Sequence, residues 1–204
     1  MIRELRPALV LFFVFSVLTG VIYPLAITGV ANVLFPRQAG GSLILVDGKP
    51  VGSELIGQNF TSPRYFHPRP SATSGPDPVD SSKTGPLPYN AAASVGSNLG
   101  PTSKSLVDRV NASVAALRAE NPGAVREGLA IPADLVTTSG SGLDPDISPE
   151  GARFQVPRIA AARDLPEERI HDLILRMTQA PVAGILGEAR INVLRLNLAL
   201  DAIK

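Results

Sequence analysis

Cysteine and tryptophan are absent from the 204 residues, and histidine and methionine occur twice each. Without a thiol there is no disulfide framework, no thiolate zinc or iron–sulfur site and no cysteine nucleophile. The missing cysteines leave the redox compartment open, and two histidines exclude an all-histidine metal site. Net charge is also scarce: nineteen basic and eighteen acidic residues leave +1, too weak a field to hold nucleic acid, so no nucleic-acid partner is expected. Eighteen glycines and nineteen prolines predict many turns but fall short of a collagen or a wholly disordered chain.

Charge is missing altogether from residues 7–36, whereas from Arg37 onward seventeen basic and seventeen acidic residues cancel. Thirty residues make a helix of about 45 Å, and about 20 residues cross a hydrocarbon core of about 30 Å. The segment is long enough to cross and project beyond. Pro7 suits a first helical turn, Pro24 predicts a kink, and Pro36 with Gly40 and Gly41 supplies a stop. A cleaved signal peptide is the alternative, with Arg3 and Arg6 as its basic region and Gly29 and Ala31 as small residues before the cut. The run is about twice a typical signal core, and Phe12, Phe13 and Phe15 favour residence in lipid, so a retained anchor is the better reading. Arg3 and Arg6 precede it and only Arg37 follows closely, which places the N-terminus in the cytoplasm and residues 37–204 outside. Ser16, Gly20, Pro24 and Thr28 recur every four residues as a small stripe on which another helix can pack, and mid-span Tyr23 wants an acceptor on that partner.

The resulting expectation is an α+β protein: residues 1–36 as cytoplasmic tail and transmembrane helix, residues 37–204 as one small external α+β domain with a long Pro/Gly-rich loop. Leu43 to Val46, Asp47-Gly48, then Val51 and Leu55-Ile56 read as a β-hairpin. Residues 61–102 hold eight prolines and read either as a flexible linker or, given Tyr65, Phe66 and Tyr89, as an ordered functional loop. Thr102 or Ser103 caps a helix with a Leu106, Val110, Val114, Leu117 stripe. Ser148-Pro149-Glu150 opens a second that reaches about Arg163 with a break at Pro157, and Asp164 caps a third that buries Ile170, Leu173, Ile174 and Met177. The C-terminus alternates at Ile191 and Val193, then becomes helical through Leu194, Leu198 and Ala202.

Segments that imitate catalytic motifs each fail on one residue. Lys83-Thr84-Gly85 matches penicillin-recognising enzymes, but no Ser-x-x-Lys exists to supply the nucleophile. The phosphorylation loop of P-type ATPases needs aspartate where Ser82 stands. Ser139-Gly140-Ser141-Gly142 lacks the leading glycine of a nucleophile elbow, and Gly48-Lys49 is not a Walker A loop. Asp144, Asp146, Ser148 and Glu150 alternate as calcium ligands do, but Pro149 stands where the sharp turn needs glycine. No metal site and no catalytic residue are expected.

Taken together, the long span, Tyr65-Phe66-His67-Pro68-Arg69-Pro70-Ser71-Ala72, Gly96-Ser97-Asn98-Leu99-Gly100-Pro101-Thr102, Pro132 to Pro145 with its Thr137-Thr138-Ser139-Gly140-Ser141-Gly142 centre, and Arg190-Ile191-Asn192-Val193-Leu194-Arg195-Leu196-Asn197-Leu198-Ala199-Leu200-Asp201 closely resemble the C subunits of bacterial Kdp potassium-transporting ATPases. Departures are local: the family more often has asparagine, histidine and glycine at the places of Ser103, Asp146 and Asp164. The resemblance implies a non-catalytic accessory subunit in the bacterial plasma membrane, with a potassium-channel-like subunit and a P-type ATPase subunit as partners beside the lipid bilayer. It also implies a catalytic chaperone that raises the ATP affinity of the ATPase subunit. ATP would then be met at Thr138, Ser139, Gly140, Ser141 and Gly142, where hydroxyls and exposed amides suit phosphate. Tyr65, Arg69, Ser71, Asn98 and Asp144 are the motif residues expected to make contacts in the external domain. Because the charge asymmetry sets that domain away from cytoplasmic ATP, assembly and stabilisation are the physical expectation. The alternative is a membrane-anchored external hydrolase or binding module.

Overall fold

The computed structural model describes residues 2–77, 80 and 82–203, and the chain divides into two compact units, Met1–Ser53 and Glu54–Lys204. The first begins with α1 (Ile2–Val17), a π turn (Leu18–Ile22) and α2 (Tyr23–Leu34). Together they make a helix long and apolar enough to cross a membrane, Arg3–Leu34, whose apolar stretch is uncovered by protein. The helix starts at Ile2, so Pro7 lies inside it rather than in its first turn; Glu4 near the start suits the positive end of the helix dipole. At Pro24 the missing N–H and the clash with the carbonyl four residues back forbid a regular turn. The backbone answers with the π turn, in which the Tyr23 N–H reaches the Leu18 carbonyl. Phe35 breaks the helix, and Pro36 opens a short α3 (Pro36–Ala39). The hairpin follows as β1 (Leu43–Val46) and β2 (Lys49–Ser53), antiparallel with Val46 opposite Lys49. Asp47 and Gly48 both take positive φ, 50° and 75°, as a two-residue hairpin turn demands.

The second unit carries two more antiparallel pairs, β3 (Ser74–Pro76) with β4 (Thr84–Pro86) and β5 (Asp146–Ile147) with β6 (Ile191–Asn192). Its helices are α4 (Lys104–Glu120), α5 (Pro122–Arg126), α6 (Pro149–Phe154), α7 (Val156–Arg163), α8 (Glu167–Met177) and α9 (Val193–Asp201). The α+β expectation therefore holds, with the core built on the last four helices. Phe154, Val156, Ile159, Ile170, Ile174, Val193, Leu196 and Leu200 are essentially sealed from water, joined by Ile147, Ile191 and Phe66. Ser148 caps α6 by accepting from the Gly151 N–H at 2.9 Å, and Pro157 sits in the first turn of α7, as its φ prefers.

Leu55 and Ile56 lie past the end of β2 rather than in the hairpin, and three further expectations change. Asp164 does not cap α8; it ends α7 in the left-handed conformation (φ 56°), and α8 starts after Pro166. No residue of α4 is buried: its Leu106, Val110, Val114 and Leu117 stripe is half-covered, and Leu117 is the member that packs on the core. In α9 the buried face is Val193, Leu196, Asn197 and Leu200 beside Leu194, while Leu198 is half-buried and Ala202 exposed. The helix starts at Val193, in the place expected to alternate as strand, and the face set by Val193, Leu196 and Leu200 is the one that meets the core.

Candidate functional site

The Pro-rich segment is an ordered loop among its described residues, and side-chain amides hold it. Phe66 is fully buried and offers one N–H and one carbonyl with no strand beside them. Asn197 of α9 satisfies both: its Oδ1 accepts from the Phe66 N–H at 2.8 Å and its Nδ2 donates to the Phe66 carbonyl at 3.0 Å. Gln155 does the same one residue on, accepting from the His67 N–H at 2.7 Å and donating to the His67 carbonyl at 3.1 Å. Two buried amides thus stand in for a neighbouring strand, as buried backbone groups require. Neither amide's role is announced by its local pattern. The signal was a polar residue on an apolar stripe, Asn197 between Val193 and Leu200.

The family-motif residues converge around this loop. Tyr65 donates to Asp201 at 3.1 Å and lies under the Arg163 guanidinium, 4.9 Å from the ring centre. Arg69 pairs with Asp144 at 2.7 Å, and the Arg69 carbonyl accepts the Tyr89 hydroxyl at 2.8 Å. Burial, reinforced by the Asp144 charge, raises the Tyr89 phenol well above its ordinary range. Ser71 donates to the Gly142 carbonyl at 2.7 Å and accepts from the Tyr89 N–H at 3.0 Å. Asn98 takes a left-handed conformation (φ 49°), and its neighbour Ser97 accepts from Thr138 at 3.2 Å.

Within residues 138–142, Ser139 is nearly buried and its hydroxyl accepts from the Gly142 N–H at 2.9 Å. The Ser141 hydroxyl accepts from the Leu143 N–H at 3.1 Å, and its carbonyl accepts from the Val95 N–H at 2.9 Å and from Ser94 at 3.1 Å. Gly142 has φ +67°, and a Cβ there would lie 2.7 Å from Thr73 Cγ2 and from the Val95 carbonyl. Three motifs distant in sequence therefore meet at one hydrogen-bonded knot.

A second cluster surrounds His67. Its Nε2 lies 3.0 Å from the Ser62 carbonyl, an acceptor for that nitrogen when it carries the proton. Its Nδ1 faces Glu120 of α4 at 3.5 Å, and Arg158 Nη1 lies 3.4 Å from Nε2. Burial first, then the Arg158 charge, hold the imidazole below its usual value. Arg158 itself, pushed down to about 10 by burial, donates to Asn121, Pro63 and Gln155. Beside it opens a cleft of about 1230 Å³, lined by Glu120, Arg126, Arg158 and Glu167 among others. None of the expected nucleotide or motif residues lines it.

In the span, Ser16, Gly20, Tyr23, Pro24 and Thr28 are all exposed, and a Cβ on Gly20 would touch nothing. A step of four residues in an α-helix overshoots a turn by about 40°. The wider π turn brings the step from Gly20 to Pro24 back the other way, which keeps the small residues closer to one line. Thr19 and Asn32 satisfy themselves on the carbonyls of Phe15 and Thr28, at 2.6 and 2.9 Å.

The sequence profile of the family described as KdpC, K+-transporting ATPase, c chain, matches residues 5–202. A protein of Methylobacterium nodulans named potassium-transporting ATPase KdpC subunit is 64% identical over 203 residues, covering 100% of this chain and 98% of its own. Proteins of the same name from Rhodopseudomonas palustris strain BisB18 and Bradyrhizobium diazoefficiens are 62% and 61% identical over 204 and 201 residues. The former is covered end to end, and in the latter pair each chain is covered to 98%.

Proposed function

The chain belongs to the KdpC family of K+-transporting ATPase c chains, and from that we propose a single-pass accessory subunit that stabilises an ATP-driven potassium uptake complex. Its partners are the potassium-channel-like subunit and the P-type ATPase subunit of the same assembly. The observation that carries the reading is the uncovered helix Arg3–Leu34, with its line of small residues open to a neighbour. In lipid such helices associate by close packing rather than by burial of apolar surface. The cytoplasmic N-terminus and external domain follow from Arg3 and Arg6 ahead of the span.

The domain raises the ATP affinity of its partner by linkage. A subunit that binds one conformer of the ATPase more tightly populates that conformer, and the gain in ATP affinity cannot exceed the difference in subunit affinity between the states. Direct contact at Thr138 to Gly142 is the second route that the family suggests. The bond from the Gly142 N–H to the Ser139 hydroxyl favours the first, since that amide already has its acceptor. Two measurements test the reading. The KM for ATP of the complex should rise several-fold when this chain is left out, and an unchanged KM would remove the chaperone role. A topology reporter at the C-terminus should signal outside; an inside signal would reverse the orientation and restore direct nucleotide contact.

A further inference from the structure

Residues 178–190 leave the end of α8 and return to β6 as a projection from the second unit. At its foot Gln179 and Arg190 exchange backbone hydrogen bonds at 2.8 and 3.1 Å, and near its end Val182 and Leu186 do the same at 2.9 and 3.0 Å. Ala183 and Gly184 close the turn at positive φ, 54° and 76°. The tip is bare and aliphatic: Val182 and Leu186 are more than half exposed, and Ile185 is 82% exposed. None of the eight side chains from Ala180 to Gly187 can donate or accept a hydrogen bond. The backbone is as well prepared. The N–H groups of Val182, Gly184, Ile185 and Leu186 already bond within the tip, and Pro181 has none to pair. Apolar side chains outside and backbone donors satisfied inside fit a segment to leave water.

We infer that the tip, Val182 to Leu186, dips into the headgroup layer of the bilayer in which the chain's own helix is anchored. The foot of the projection lies where the chain enters the second unit. Glu54 is held there by Asn192, which donates to its carbonyl at 3.0 Å, and by an ion pair with Arg195. Glu54, Leu55, Gln179 and Arg190 line one small cavity, so the tether and the apolar projection share one region of the domain. A protein is the poorer occupant, because protein interfaces carry hydrogen bonds around their apolar centre and these eight side chains supply none. Lipid asks for none: a segment held at the interface gains in proportion to the apolar area it buries. Weak docking is enough, since a tip joined to the membrane by its own chain meets it at high effective concentration. The inference rests on the membrane-anchor reading and adds to it a second, reversible contact that sets the tilt of the domain over the bilayer.

The cysteine-free chain makes the test clean. Ile185→Cys at the tip, Leu18→Cys in the span and Ala112→Cys on α4, each in the full chain, are labelled with a solvent-sensitive fluorophore. Each is reconstituted into phosphatidylcholine vesicles, once alone and once with the other ATPase subunits. Quenching is measured with lipid spin-labelled near the headgroup and with lipid spin-labelled deep in the acyl chain. At position 185 emission should shift to the blue and the headgroup-level label should quench at least twofold more than the deep one, in both samples, while position 112 stays unquenched. A water-like, unquenched probe at 185 in both samples overturns the inference. Quenching in the chain alone that disappears in the complex also overturns it, giving the tip to a subunit, and equal quenching at 185 and 112 reduces it to non-specific adsorption. The span separates the two ideas: an unquenched probe at position 18 sinks the anchor reading itself, whereas a quenched span beside an unquenched tip sinks the docking alone.

Discussion

Single residues carry much of the domain's order. Gly142 combines a positive φ with backbone and methyl contacts at 2.7 Å, so Gly142→Ala should cost about 2–3 kcal/mol and lower the urea midpoint accordingly. Asp164 shows the converse: it ends α7 at φ 56° where glycine is strain-free. Asp164→Gly should therefore stabilise by about 0.5–1 kcal/mol, read from the same titration. His67 makes stability depend on pH. Burial and Arg158 hold its folded value below 6.5, so the unfolded chain takes up a proton that the folded chain resists. Stability is then full above 6.5 and falls as pH drops through that value toward the folded one. Unfolding midpoints measured from about pH 7.5 down to about pH 5.5 should decline, and His67→Gln should flatten that slope.

At the scale of elements, signals confined to a few neighbouring residues read well and signals that depend on distant ones did not. The cap at Ser148, the proline breaks and the buried face of α8 follow from composition and period within one helix. The end of α7 was misread because aspartate serves equally at a helix start and in a left-handed stop, and the choice lies with the φ of one residue. The loop's order could not be read from its own residues, since Asn197 and Gln155 supply it from helices made much later. The candidate site was legible as a set of motifs but not as a knot, because nothing in Ser71 alone announces Gly142. The span makes its own prediction. A side chain on Gly20 would touch nothing within the chain, so Gly20→Leu should leave expression and domain stability unchanged while lowering co-purification with the ATPase subunits several-fold. Equal recovery of Gly20→Leu and the natural chain would detach the small-residue line from assembly.

For the whole molecule, the core drawn from α6 to α9 lies entirely within the second unit. A fragment of residues 54–204 should therefore be soluble and unfold in one cooperative calorimetric transition. If the subunit reading is right, that fragment should be inert on ester, peptide and glycoside panels; turnover on any of them would favour the anchored hydrolase instead.

The amide clamp on Phe66 also sets a timetable. Phe66 meets Asn197 across 131 residues of sequence, and Tyr65 meets Asp201 across 136. Contacts of such separation form slowly and only after both ends exist. A ribosome that has finished the first hundred residues has made the loop but not the helices that hold it, so the segment waits, apolar side chains bare, until the closing turns emerge. The domain is thus committed to mature only once residues 193–201 have emerged, and a nascent chain stalled before Asn197 should remain a substrate for proteases and holding chaperones.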